Sequence, residues 1–135
     1  MSIEGKKRLV DDWFRFAGED LAAAQELAGR GSFHHQACLL SQQSAEKYLK
    51  IFLLSKGWKL VRTHELSQLA GEYCSYDDSF QTVYPHCEIL NKYIIAGRYP
   101  GDLPFENTTA EDANQAVTAA IAIEFFVVGK RESFT

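Results

Sequence analysis

The stretch Gln42-Gln43-Ser44-Ala45-Glu46-Lys47-Tyr48-Leu49-Lys50, running on through Ile51-Phe52-Leu53-Leu54, decides the fold. It opens polar, turns apolar and carries two lysines toward its end. Leu40, Tyr48, Ile51 and Leu53 flank an apolar set of Cys38, Ala45, Leu49 and Phe52, so the apolar surface is broad. A helix this apolar through its second half is read as central, with neighbours on several sides. It is bounded by Ser32, an expected N-cap, and by Gly57, with a predicted end at Ser55.

Outward from this helix the chain reads as helical throughout, with no convincing strand. A first segment is predicted from about Lys7 to Ala28, where Leu9, Trp13, Phe16, Leu21, Ala24 and Leu27 recur near a helical period. Gly29-Arg30-Gly31 ends it, because glycine tolerates a left-handed cap. Downstream, Thr63 caps a short segment from His64 to Tyr73. The next runs from near Phe80 to Ala96, with Val83, Cys87, Leu90 and Ile94 turned inward. Pro85 falls in its first turns, where a missing N–H costs least, or delays its start. A last segment is capped by Thr109 with Asp112 at the third position, a variant capping box, and continues to about Val128. Four long helices and one short one predict an all-α, antiparallel, up-and-down bundle of four to five helices, forming one domain over residues 1–135.

Composition excludes several classes of function. A chain of 135 residues with 46% apolar content can bury a core without disulfides. Cys38, Cys74 and Cys87 are odd in number and have no metal-ligand spacing, which fits a reducing compartment and argues against a zinc site. No run approaches the ~18 apolar residues of a membrane span. Lys6-Lys7-Arg8 has no apolar run behind it, so no signal peptide is read. A soluble, cytoplasmic protein without a cofactor is expected. Net charge is −4, so a general affinity for polyanions is not expected.

Charge is nevertheless segregated. From Lys47 to His64 the basic residues are Lys47, Lys50, Lys56, Lys59 and Arg62, without a carboxylate. From Glu65 to Asn91 the signs reverse. Lysines gathered at a helix C-terminus also complement its macrodipole, so solvation alone accounts for part of the run. Arg98, before Pro100 and Gly101, suits bidentate phosphate recognition or an ion pair with Asp102 or Asp20. His64 titrates near neutrality, yet at a helix N-terminus its cation is disfavoured. Glu46 and Lys50 stand at i and i+4, the favourable order for a helix ion pair. Asp20, beside the apolar stripe of the first segment, needs Arg98 or a lysine of the second helix as partner. Lys47, Lys50, Arg62, His64 and Arg98 are the candidate residues for holding a nucleotide or phosphate.

Asp20-Leu21, the stretch Gly29 to Ala37, Gln42-Gln43 with Ala45-Glu46-Lys47 and Leu49-Lys50, Arg62-Thr63-His64-Glu65-Leu66, Arg98-Tyr99-Pro100 and Thr109-Ala110-Glu111-Asp112-Ala113 resemble, in order, the HEPN domain family. The resemblance spans about Trp13 to Val128. It implies a helical bundle that pairs as a homodimer and is often encoded beside a minimal nucleotidyltransferase, in toxin–antitoxin-like modules. Many members are metal-independent ribonucleases whose arginine and histidine, four to six residues apart, lie late in the bundle. Others bind nucleotides or partners only. Here the only such spacing is Arg30 to His35, early in the chain, and no histidine follows Arg98. The resemblance therefore favours a non-catalytic nucleotide-binding or partner-binding subunit. The alternative is an RNA-cleaving toxin with a degenerate site, Arg98 holding the phosphate and His64 handling protons.

Overall fold

Ser2 starts the first helix: its side chain accepts the Gly5 N–H at 2.9 Å, and Glu4 stands in the first turn. The computed structural model describes residues 2–55, 78–96 and 108–131. In it, α1 spans Ile3–Arg30, four residues earlier than the expected start at Lys7 because the Ser2 cap lies further upstream. The predicted short segment His64 to Tyr73, Cys74, Arg62 and Arg98 lie outside the described residues.

The buried face of α1 is Val10, Phe14, Ala17, Leu21 and Ala24, spaced alternately by four and three. This differs in phase from the expected stripe. Leu21 and Ala24 are shared, and Trp13 and Leu27 pack partly buried against the core, but Phe16 is 45% exposed. Two residues beyond Phe14, it falls roughly 200° around the helix. There it lies under the Arg15 guanidinium, 5.1 Å from the ring centroid.

Gly31 ends α1 at φ 69°, and its N–H donates to the Ala28 carbonyl at 3.1 Å, so the glycine cap is the one expected. The turn then departs from expectation. Phe33, not Ser32, supplies the first acceptor of the next helix, taking the Ala37 N–H at 3.0 Å. It does so at φ 53°, the left-handed region that side chains avoid. With Gly31 and Phe33 both left-handed, the chain reverses within three residues, and α2 begins one residue later than the Ser32 cap implies.

The second helix, α2 (His34–Ser55), is central. It contacts α1, the third helix and the last. Ala37, Cys38, Ala45, Tyr48, Leu49 and Ile51 are buried, and so are Ser41, Gln42, Ser44, Glu46 and Lys50. Its buried serine hydroxyls are satisfied by backbone: Ser41 donates to the Ala37 carbonyl and Ser44 to the Ala17 carbonyl of α1, each at 2.8 Å.

A 3-10 helix at Asp78–Val83 leads into α3 (Tyr84–Ala96). The helical winding begins near Phe80 as expected, but Pro85 holds back the α-helix. As the second residue of α3 it sits where its absent N–H needs no partner. Phe80, Val83, Cys87, Leu90 and Tyr93 point into the core. The last helix, α4 (Ala110–Gly129), opens on the expected capping box. Asp112 N–H donates to Thr109 Oγ1 at 3.1 Å, and Thr109 N–H donates to the Asp112 carboxylate at 3.0 Å.

Cross-helix pairs set the directions. Cys38 and Tyr93 are hydrogen-bonded near Asp112 at one end. At the other, Arg131 reaches Asp11 at 2.9 Å, and Phe80 packs edge-on against Phe126 with centroids 5.2 Å apart. So α2 and α4 run one way, α1 and α3 the other, in an up-and-down bundle. Among the described residues no helix is long and apolar enough to cross a membrane.

Candidate functional site

Five polar residues in the middle of α2 form one sector. Gln42, Glu46 and Lys50 follow at intervals of four, with Gln43 and Lys47 one step further round, so the five cover about 140° of the helix. Packing splits the sector into a buried edge and a half-buried edge.

On the half-buried edge, Lys47 makes an ion pair with Asp20 of α1. The expected partner for Asp20 is therefore the lysine of the second helix. On the buried edge, Lys50 is 6% exposed and its ammonium lies 3.8 Å from the Glu46 carboxylate. That separation exceeds the ~2.7–2.9 Å of a tight charge-assisted hydrogen bond, so among the described residues Glu46 does not take up the donor capacity of the ammonium. One turn before Glu46, Gln42 is 3% exposed and its Nε2 has no hydrogen-bond partner among the described residues. An amide and an ammonium, both withdrawn from water, thus offer donors along one side of α2, with a carboxylate between them.

Of the five candidate residues, Lys47 and Lys50 fall within the described structure; Arg62, His64 and Arg98 do not. Gln42 and Glu46 belong to the same sector and are not among the candidates read from the sequence. The four-residue repeat Gln42–Glu46–Lys50 is the signal that points to them.

The Arg30–His35 spacing does not build a shared site. Arg30 Nε and Nη2 donate to Glu26 at 3.2 and 3.0 Å on the exposed end of α1. His35 is buried, and loss of solvent lowers its pKa, favouring the neutral ring. Cys38 is equally unsuited to nucleophilic work. Burial pushes its thiol to about 11, against the lowering effect of the Tyr93 hydrogen bond, so it stays protonated at neutral pH. Burial also raises the Tyr48 and Tyr93 phenols well above their usual range. Among the described residues no group of three or more His, Cys, Asp or Glu side chains is placed to hold a metal ion.

An up-and-down helical bundle with a polar sector set into its central helix is the class these features define. The HEPN domain family model matches residues 10–130, and the chain belongs to that family. Among solved structures, TT1696 from Thermus thermophilus is 30% identical with a TM-score of 0.80, the match covering 90% of this chain and 97% of that one. ST0689, an archaeal HEPN homologue, is 28% identical with a TM-score of 0.70, over 90% of this chain and 96% of that one. A search of curated proteins finds no match.

Proposed function

We propose that this HEPN protein is a non-catalytic subunit that binds a nucleotide through the polar sector of α2, as a homodimer acting with a minimal nucleotidyltransferase. The observation that carries the reading is the buried donor pair, Gln42 Nε2 and the Lys50 ammonium. An unsatisfied buried amide costs about 1–3 kcal/mol, a cost that a ligand accepting its hydrogen bond removes. The burial of His35 and the engagement of Arg30 by Glu26 support a non-catalytic role, because the family's nucleases need an arginine and a histidine facing one cleft. Arg62, His64 and Arg98 are the further phosphate contacts in this reading.

Titration of the purified protein with a panel of nucleoside mono- and triphosphates tests it. Binding should weaken at least tenfold in Lys50→Gln and in Gln42→Leu, with helical circular dichroism retained. Absence of binding to every nucleotide, together with failure to co-purify with a co-expressed nucleotidyltransferase, would overturn the proposal. Metal-independent RNA cleavage that disappears in Arg98→Ala and His64→Ala would replace it with the ribonuclease reading.

A further inference from the structure

From Ala113 to Gly129 the last helix carries a single charged residue, Glu124, and that carboxylate is turned inward to accept the Tyr48 hydroxyl. The cations that follow are also engaged by their own chain: Lys130 lies over the Phe126 ring and Arg131 reaches Asp11. The outward face of α4 is therefore free of charge over about three turns. It is apolar as well. Phe125 is 79% exposed, and Ile121 and Val128, one turn to either side, are exposed too. Phe125 and Ile121 themselves wall a groove of about 500 Å³, whose remaining lining is Thr118, Ala122 and Phe126 of α4 with Thr82, Val83 and His86 from the 3-10 helix and the start of α3.

We infer that this face is where two copies of the chain meet, about a twofold axis crossing α4 near Ile121 and Ala122. This deepens the homodimeric part of the proposed function and is independent of its nucleotide-binding part.

Two properties of the face select a second copy as the occupant. A twofold interface must be self-complementary, and this surface carries both halves of a match. Phe125 is the projecting group, and the groove over Thr118 and Ala122 is its receptacle. In an antiparallel α4–α4 contact centred between Ile121 and Ala122, Phe125 of each copy stands opposite Thr118 of the other. Small side chains at 118 and 122 leave the space a phenyl ring needs.

The second property is electrostatic. A chain of net charge −4 repels its own copy, and a twofold axis brings any charge on the face toward its like. This face meets its own image without a charge conflict. Its aromatic, charge-depleted centre also matches the composition of interface cores.

The test is sedimentation velocity of the intact wild-type chain and of Phe125→Asp, with Thr118→Trp as a second variant that fills the receptacle. Because Phe125 is mostly exposed, Phe125→Asp should keep wild-type helical circular dichroism. The expected result is a wild-type dimer, with association weakened at least a hundredfold in Phe125→Asp and clearly shifted the same way in Thr118→Trp. A dimer that persists in both variants overturns this assignment while leaving the homodimer itself intact. A monomeric wild type overturns both. So does a monomer that binds neutral phosphatidylcholine vesicles through Phe125, since the face would then serve a lipid surface. Nucleotide titration of the same samples reads the α2 sector separately.

Discussion

The Tyr48 hydroxyl donates a 2.7 Å hydrogen bond to the Glu124 carboxylate, joining the middle of the central helix to the last one. Tyr48 is itself packed edge-on against Phe14 of α1, so one side chain ties three helices together. Tyr48→Phe keeps the ring and removes the donor to a half-buried carboxylate. A loss of about 1–3 kcal/mol in urea unfolding is expected. A double-mutant cycle with Glu124→Gln should give a coupling energy of about 0.5 kcal/mol or more. Simple additivity would show that the bond contributes nothing beyond packing.

Burial lowers the pKa of His35 in the folded chain, whereas in the unfolded chain it returns to its ordinary value near 6.5. The unfolded state then binds more protons in the window below that value. The His35 contribution to stability is present above pH ~6.5 and is lost as pH falls toward the folded-state pKa. The melting temperature should therefore drop as pH falls below the ordinary histidine value of about 6.5, and His35→Gln should flatten that part of the profile. An unchanged slope in the variant would assign the drop to other groups.

Phe33 holds a left-handed backbone while its side chain is 63% exposed, so it bears conformational strain with little burial in return. Relief of that strain is worth about 1–2 kcal/mol, offset by the ~0.5–1 kcal/mol entropic cost of glycine. Phe33→Gly should raise stability by about 0.5–1 kcal/mol. Chemical denaturation showing a loss instead would mean that the ring packs more than its exposure indicates.

Gly18 lies inside α1, and a Cβ there would meet the Tyr48 hydroxyl at 3.5 Å, an ordinary contact distance. Gly18→Ala should stabilise the protein by about 0.5–1 kcal/mol through helix propensity. Gly18→Leu should cost stability, because it must displace Tyr48 from Glu124. Thermal melts of the two variants distinguish these outcomes, and a destabilised alanine variant would refute the steric reading.

Much of this architecture is legible in the sequence because local chemistry specifies it. The glycine cap at Gly31, the Thr109–Asp112 box and the central, broadly apolar α2 each depend on residues close together in the chain. The phase of α1 is harder to read. Phe14 and Phe16 are equally apolar, and only the uninterrupted spacing through Val10, Ala17 and Leu21 selects Phe14. Ser32 has the right chemistry for a cap, yet the left-handed Phe33 after it moves the start of α2, a backbone choice that composition does not encode. In the candidate site, the need of Asp20 for a cation, Arg98 or a lysine of α2, follows from burying a carboxylate, and Lys47 of α2 meets it. The burial of Gln42 does not follow from its own neighbours. An amide within a helix normally faces water, and only the packing of other elements around α2 withdraws it.

The three-residue reversal between α1 and α2 has a kinetic consequence. These helices share the most extensive contact in the described structure, and they close over a short loop with little entropic cost. Such local contacts form early in folding. Substitutions across the hairpin, such as Leu21→Ala and Ala45→Gly, should therefore slow refolding, whereas Ile123→Val in α4 should mainly speed unfolding, as φ-values from stopped-flow chevrons would register. On this expectation the helix that presents Phe125 to the outside is laid down last, on a scaffold already half assembled.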